Sequence, residues 1–313
     1  MSTFPTDPLL KDDLRSLLSS LLQGSPGLLS LSSSNRVERW AIVANLINEK
    51  GLTPEGTIVA TRDPYLETVV TDWFIHFHLS VSDWSMWRYF IYEFLPNHQS
   101  FTQNALLEEL ILTFAEESSN QLKKSVRLLL RTYLDPQSIA KNSFLKREHK
   151  LYSAGISNLS NPYTLGYLLA KLWKRDFGLQ SSVLVDQILF AEMGLASVLG
   201  IHRKQLRQYL DILENHGIIE QRSATPHLVG TKPKRKEGGE QTYQVYRCWE
   251  TAIELLESAY DHDVATPNRP LIQSLEPLLS GDDDTPDFSK LLEWVSGLVG
   301  LDGGSNTMIS LAS

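Results

Sequence analysis

Five side chains at one end of a predicted helix have the chemistry of base recognition. They lie within six consecutive residues and combine cationic with amide groups: Arg203, Lys204, Gln205, Arg207 and Gln208. An arginine can donate two hydrogen bonds to guanine, and a glutamine can pair in a similar way with adenine. The N-terminal residues of a recognition helix are the ones that enter the major groove. These five residues are therefore our candidates for base contacts in duplex DNA.

The helix that carries these side chains follows a shorter helix and a turn. Gly200 comes just after the last apolar position of the shorter helix and is a helix stop. Leu206, Leu210 and Leu213 then follow at intervals of four and three, which predicts one buried stripe on the second helix. Two helices joined by a short turn with glycine are typical of a helix-turn-helix.

Two predicted strands after the second helix would complete a winged helix. They are residues 218–222 and 241–247, and four cations lie in the loop between them: Lys232, Lys234, Arg235 and Lys236. Cations at the tip of such a loop suit contact with DNA phosphates, which depends on salt. Residues 200–247 contain nine Lys/Arg against five Asp/Glu, whereas the whole chain has a net charge of -8. This local reversal of charge favours DNA binding over a purely structural role.

A second group of residues has the chemistry of metal binding. Asp72 and His76 are four residues apart, so they share one face of a predicted helix. With Asp63, Glu67 or Glu93 nearby in space, they could bind a divalent ion. The alternative, which we favour, is a core histidine whose ring bonds a carboxylate. We therefore assign no metal ligand and no catalytic residue.

The sequence lacks the common signatures of catalysis and cofactor binding. It has no P-loop, no dinucleotide fingerprint, no GxSxG elbow, no HExxH and no Cys/His zinc spacing. The single cysteine, Cys248, allows no internal disulfide. No apolar run approaches the roughly 18 residues that span a bilayer, and no signal peptide is evident. We expect a cytoplasmic protein without a cofactor and without a membrane partner.

The pattern of elements predicts a mainly α-helical chain with two domains. Residues 1–35 form an N-terminal arm, and residues 36–160 form an all-helical, aromatic-rich domain. Residues 161–260 form the winged helix-turn-helix domain with its small β wing. Residues 261–313 are an acidic linker and tail, with a short amphipathic helix around Trp294. The helix over residues 249–260 suits packing on its own domain or formation of a homodimer.

Three local expectations apply to the helical domain. A helix is predicted over 63–79, with Asp63 as its N-cap. Residues 52–62 are polar and contain glycine, which indicates a loop or a short strand. Residues 135–160 are polar and broken, which indicates a linker or an exposed basic loop.

Several segments of the helical domain match a recurrent bacterial pattern. They are DPYLE at 63–67, TDWFIHFHL at 71–79, WRYFIYEF at 87–94, FTQNALLEEL at 101–110 and NQLKKSVRLLLRTYLDP at 120–136. Together they resemble the SspB-like domain-of-unknown-function family. That family is found beside genes for DNA phosphorothioation and phosphorothioate-sensing phage defence.

The resemblance implies a DNA-binding component of a phosphorothioate modification and defence system. The expected partners of the chain are double-stranded DNA, a second copy of the chain and proteins of the same operon. Some relatives are described as Mg-dependent DNA nickases, so a nicking endonuclease that uses Mg²⁺ is one alternative. A winged-helix protein-interaction scaffold or transcriptional regulator is another, because many winged helices bind proteins.

Overall fold

The chain is mainly α-helical in a computed structural model that describes residues 7–24, 36–155, 159–223 and 243–265. The helices are α1 (Lys11–Leu22), α2 (Arg36–Val43), α3 (Pro54–Arg62), α4 (Val69–Val81), α5 (Ser85–Arg88), α6 (Leu95–Asn97), α7 (Gln103–Thr113), α8 (Ser119–Leu134), α9 (Pro162–Asp176), α10 (Val185–Leu189), α11 (Leu195–Leu199), α12 (Arg203–Asn215) and α13 (Ala252–Ala265). A π-helical segment, Tyr89–Phe94, joins α5 to α6, and a 3-10 turn, Ala140–Asn142, follows α8.

The strands form three small antiparallel sheets. The first pairs β1 (Ile47–Asn48) with β2 (Gly51–Leu52). The second has the order β3-β5-β4, where the strands are Phe101–Thr102 (β3), Leu145–Glu148 (β4) and Leu151–Ala154 (β5). The third has the order β6-β8-β7, where the strands are Ser182–Leu184 (β6), Ile219–Ser223 (β7) and Tyr243–Arg247 (β8).

Helix α4 is the centre of the core, because it is buried all round. Every residue from Val70 to Ser80 is buried, including the large side chains of Trp73 and Phe77. A helix that is apolar on all sides belongs in the interior rather than on a surface. The helix begins where the Thr68 hydroxyl accepts a hydrogen bond from the Thr71 N–H.

The prediction that Asp63 caps this helix is wrong. Helix α3 runs into Asp63, whose own N–H donates to the Val59 carbonyl at 2.9 Å. The Asp63 carboxylate instead accepts hydrogen bonds from the Glu67 and Thr68 N–H groups, each at 2.9 Å. It therefore fixes the connection between α3 and α4, and Thr68 takes the capping position.

The prediction of a loop or strand over 52–62 is also wrong, because this segment carries a complete helix-start signal. Pro54 occupies the first turn of α3, where its missing N–H costs nothing. The Thr53 hydroxyl accepts from the Gly56 N–H at 2.8 Å and caps the helix.

The segment 135–160 is not a linker, and the domain before it is not all-helical. Strands β4 and β5 form a hairpin that pairs with β3. Ile139, Phe144 and Tyr152 from this segment are buried in the core. Its exposed basic residues therefore stand on an ordered hairpin.

Both ends of the described chain pack on this core. Leu14, Leu17 and Leu18 of α1 are buried, so this helix is docked rather than frayed. At the other end, the Tyr260 hydroxyl of α13 lies 2.8 Å from the Thr71 hydroxyl of α4. The described residues up to Asp263 form one compact unit, and the domain boundary near residue 160 stays a prediction. The predicted tail helix around Trp294 lies outside the described residues.

Candidate nucleic-acid interface

The turn between α11 and α12 is built on Gly200. Its φ is 63°, in the left-handed region that favours glycine. The Gly200 N–H donates to Ser197, and the Ile201 N–H donates to Ala196, which together terminate α11. A Cβ at Gly200 would lie 3.1 Å from the Phe144 ring. The turn therefore rests directly on the start of the β4–β5 hairpin.

The substitution Gly200→Ala is expected to lower the free energy of unfolding by about 2–5 kcal/mol. The left-handed backbone costs about 1–2 kcal/mol with a side chain, and the crowded Cβ adds an overpacking cost of about 1–3 kcal/mol. Gly178→Ala is the matched control, because Gly178 has a φ of 62° and open space around it. Urea denaturation of both variants separates the two costs. Equal losses would show that Phe144 does not constrain the turn.

Helix α12 has one buried stripe and one exposed cationic end. Leu206, Leu210 and Leu213 are completely buried, as their spacing predicts. Arg203 and Lys204 at the start of the helix are exposed. Neither they nor Arg207 form an ion pair within the part of the chain that the structure describes. These cations thus remain available to an anionic partner.

Aromatic rings hold the two arginines of this helix in place. The Arg203 guanidinium lies 4.3 Å from the centre of the Phe190 ring, and that of Arg207 lies 4.8 Å from the Tyr243 ring. Phe190, at the end of α10, is 57% exposed, which is unusual for a phenylalanine. Stacking of this kind restricts the side chain while leaving the guanidinium donors free to bond.

The two glutamines differ in their surroundings. The Gln205 Oε1 accepts a hydrogen bond from the His202 N–H at 3.1 Å, so this side chain also caps α12. Gln208 is exposed. Further along the helix, Asp211 and Glu214 bond the side chain of Gln221 on β7. The acidic residues of α12 are thus engaged at the end that lies away from its cations.

The aromatic partners of these arginines are not among the residues predicted from the sequence. Alternation along β8 could have found one of them, because Tyr243 lies on the same face as the buried Val245. Tyr243 contacts Arg207 of α12 from that face. A third stack places Arg222 of β7 4.6 Å from the Tyr246 ring, while its guanidinium also bonds Glu220. The predicted phosphate-binding residues of the loop lie outside the described residues: Lys232, Lys234, Arg235 and Lys236.

Asp72 does not face a metal site. Its carboxylate forms a buried ion pair with Lys11 of α1 and accepts a hydrogen bond from the Lys141 N–H at 2.9 Å. Burial raises the pKa of Asp72 to about 6, against the opposing effect of the Lys11 ammonium. The pair therefore joins α1 to the centre of the core.

His76 is a core histidine, as the favoured interpretation predicts, but its ring bonds no carboxylate. Its Nδ1 lies 2.9 Å from the Tyr133 hydroxyl, and its Nε2 lies 2.8 Å from the Val198 carbonyl. Because a carbonyl only accepts, Nε2 carries the proton and Nδ1 accepts from Tyr133. Trp87 donates to the same hydroxyl at 3.1 Å. Burial lowers the pKa of His76 to about 4, so the ring is neutral at pH 7.

These bonds commit both residues of the predicted metal pair to other partners. Among the described residues, no group of three or more His, Cys, Asp or Glu side chains is placed to hold a metal ion. The His76 bond instead ties α11, the helix before the Gly200 turn, to α4. It supplies a hydrogen-bond donor to a carbonyl at a helix end, where such groups lack an intrahelical partner.

The fold and this surface define a mainly helical protein in which α12 displays cations that form no ion pair with any described residue. A family model described as a protein of unknown function, DUF4007, matches residues 36–237 of the 313. The chain belongs to the DUF4007 family.

Two solved structures share the fold. One is titled "SspB crystal structure", with a TM-score of 0.59, 14% identity, and coverage of 94% of this chain and 95% of the other. The second is titled "Magnesium ion-bound SspB crystal structure", with a TM-score of 0.59, 12% identity, and coverage of 84% and 90%. No curated protein matches the chain. The SspB-like resemblance seen in the sequence is confirmed.

No helix in the described ranges combines the length and apolar character that crossing a membrane requires.

Proposed function

We propose that this protein is a DNA-binding component of a bacterial DNA phosphorothioate modification and defence system. Helices α11 and α12, with the sheet β6-β8-β7, form a winged helix that contacts duplex DNA. The observation that carries this proposal is the start of α12, where Arg203, Lys204 and Arg207 have no acidic partner among the described residues.

The geometry of the arginines supports base reading rather than a loose attraction to phosphate. The Arg203 guanidinium lies over the Phe190 ring, and that of Arg207 lies over the Tyr243 ring. Both planar donor groups are therefore already oriented in the protein without DNA. A pre-oriented guanidinium loses less side-chain entropy on forming two bonds to a guanine edge. Gln208 and the free amide group of Gln205 complete the reading edge of α12.

The wing supplies the proposed phosphate contacts. Strands β7 and β8 pair in register from Ile219 opposite Arg247 to Ser223 opposite Tyr243. They lead into the loop whose cations we propose as phosphate ligands: Lys232, Lys234, Arg235 and Lys236. Such contacts fix the register of a protein on DNA, while base contacts give sequence preference.

The link to phosphorothioation rests on the family. Membership of DUF4007 and the fold shared with two structures titled SspB support it. The nicking alternative gains no support from Asp72 and His76, since the first is bound to Lys11 and the second to Tyr133 and Val198.

Replacing Arg203 or Arg207 by alanine is expected to weaken duplex binding by about 5- to 100-fold, because each loses a two-bond contact to a base. Fluorescence anisotropy with labelled duplexes, at two salt concentrations, measures the loss. The variant Arg203→Lys keeps the charge but loses the planar fork, so it should retain salt dependence and lose sequence preference. Lys50→Ala, which removes an exposed lysine of the β1–β2 turn, is the control and should bind like the wild type.

The same assay separates the proposed function from its rivals. A duplex with a phosphorothioate linkage, compared with the unmodified duplex, tests whether sulfur is sensed. Equal weakening by Lys50→Ala and Arg203→Ala would mean that α12 is not the contact surface. No duplex binding even at low salt would overturn the proposal and favour the protein-interaction alternative.

A further inference from the structure

The β4–β5 hairpin is a second basic element that the winged helix does not use. Between Lys146 and Lys150 it carries three Lys/Arg residues and one histidine against a single acidic residue, Glu148. All five side chains are exposed. Lys146 and Lys150 form no ion pair within the described ranges. The positive charge of this hairpin contrasts with the net charge of -8 of the whole chain.

The tip of this hairpin is held in one shape. Glu148 lies opposite Leu151, so His149 and Lys150 alone make the turn. His149 has a φ of 56°, where a two-residue turn ordinarily has glycine or asparagine. The Arg147 Nε donates to the His149 carbonyl at 2.9 Å, and its guanidinium lies 5.6 Å from the buried Tyr152 ring. The charges are therefore presented on an ordered turn.

The base of the hairpin meets the start of the recognition helix. A Cβ at Gly200 would lie 3.4 Å from the Ala154 Cβ at the end of β5. Ala154 and Gly155 also line one cavity of about 380 Å³ together with His202 and Gln205. Both elements thus border the same concave surface, and they belong to one packed unit.

The reach of the hairpin suits the dimensions of duplex DNA. Lys150 is four positions before Ala154 in the sequence. At roughly 3.3 Å per residue, this part of the hairpin is about 13 Å long. The major groove is about 12 Å wide. With the start of α12 in the groove, a hairpin of this length is long enough to reach the sugar-phosphate backbone beside it.

We infer that the β4–β5 hairpin is a second phosphate-binding element, which contacts the DNA backbone beside the groove that α12 enters. The inference rests on the proposed function, since it needs α12 on DNA. Lys146 and Lys150 are the phosphate ligands. Arg147 is a positioning residue, because its guanidinium is engaged with Tyr152 and the turn.

The test compares Lys146→Ala, Lys150→Ala and the double variant with the Lys50→Ala control, using anisotropy across a salt series. Each lost phosphate contact lowers the slope of log affinity against log salt by about 0.9 for duplex DNA. We expect a decrease of about 0.9 for each single variant and about 1.8 for the double variant, with at least a tenfold loss of affinity for the latter. Circular dichroism shows whether the variants remain folded.

The outcomes separate this inference from the proposed function. If Arg203→Ala weakens binding and the double hairpin variant keeps the wild-type salt slope, the hairpin inference is overturned. The proposed DNA contact through α12 is then retained. If the double variant loses slope but keeps its preference among sequences, the hairpin is a backbone contact. A wild-type protein that binds no duplex overturns both. Hydroxyl-radical footprints add a direct readout, since the double variant should lose protection at one flank of the site.

Discussion

Replacing Lys11 by methionine is expected to lower the free energy of unfolding by about 3–5 kcal/mol at pH 7, the usual cost of removing one partner of a buried ion pair. The Lys11 side chain is 6% exposed and that of Asp72 is completely buried. Without the ammonium, the Asp72 carboxylate keeps the Lys141 N–H as its polar contact, and it must either remain charged in the core or take up a proton. Urea denaturation measures the loss.

The pH dependence of this variant gives a second readout. Burial already raises the pKa of Asp72, and loss of Lys11 removes the main effect that lowers it. A carboxyl with a raised folded-state pKa stabilises the fold at low pH, and this contribution is lost as the pH rises through that pKa. The loss in free energy of unfolding caused by Lys11→Met should therefore be smaller at pH 5 than at pH 7.

Two further variants test the assignment of this loss to the buried pair. The double variant Lys11→Met with Asp72→Asn removes both charges of this pair and should recover most of the stability. Arg15→Met breaks an exposed ion pair with Asp12 in the same helix and should change the stability by less than about 1 kcal/mol. A similar loss for Arg15→Met would contradict our account of α1.

The second large effect concerns His76. The substitution His76→Phe removes both hydrogen bonds of the ring. The Tyr133 O–H loses its acceptor, although its oxygen still accepts from Trp87, and the Val198 carbonyl loses the ring donor. An unsatisfied buried polar group costs about 1–3 kcal/mol, so the expected loss at pH 7 is about 2–5 kcal/mol. Thermal or urea unfolding measures it.

The same variant should be less sensitive to acid. The pKa of His76 is about 4 in the folded chain and near the ordinary 6.5 in the unfolded chain. The unfolded state therefore binds a proton first as the pH falls, and the free energy of unfolding decreases between pH 6.5 and pH 4. For His76 this amounts to about 2 kcal/mol at pH 5.

Other buried groups also make the free energy of unfolding depend on pH, some in the same sense as His76 and some in the opposite sense. The comparison of wild type with His76→Phe isolates the contribution of His76. Burial also lowers the pKa of His78, which adds to the acid sensitivity. The raised pKa of Asp72 acts in the opposite sense. The difference between wild type and His76→Phe should shrink by about 2 kcal/mol from pH 7 to pH 5. A difference between wild type and His76→Phe that stays constant from pH 7 to pH 5 would contradict the assignment.

Local signals in the sequence predict helices α11 and α12 and the turn between them. The stripe of Leu206, Leu210 and Leu213, and the stop at Gly200, depend on spacing and on one backbone conformation. Both are properties of a few neighbouring residues, and the structure has them as predicted.

The rest depends on contacts between distant segments. The Lys11 ammonium pairs with a carboxylate 61 residues away, and no local pattern reports such a partner. Strand β3 is two residues long, and it pairs with β5 only because the hairpin returns to it. The stack of Arg203 on Phe190 likewise joins separate helices. In the candidate interface, the sequence therefore predicts the cations but not the rings that orient them.

The bond between His76 and Val198 has a consequence for folding kinetics. The two residues are 122 positions apart. Closing so long a loop costs chain entropy, and this cost arises before the contact can stabilise the fold. The end of α11 acquires its partner only after α4 and α11 have come together. Helix α11 and the turn after it should therefore reach their native contacts late in folding. Hydrogen exchange during refolding should protect α4 and α8 before α11.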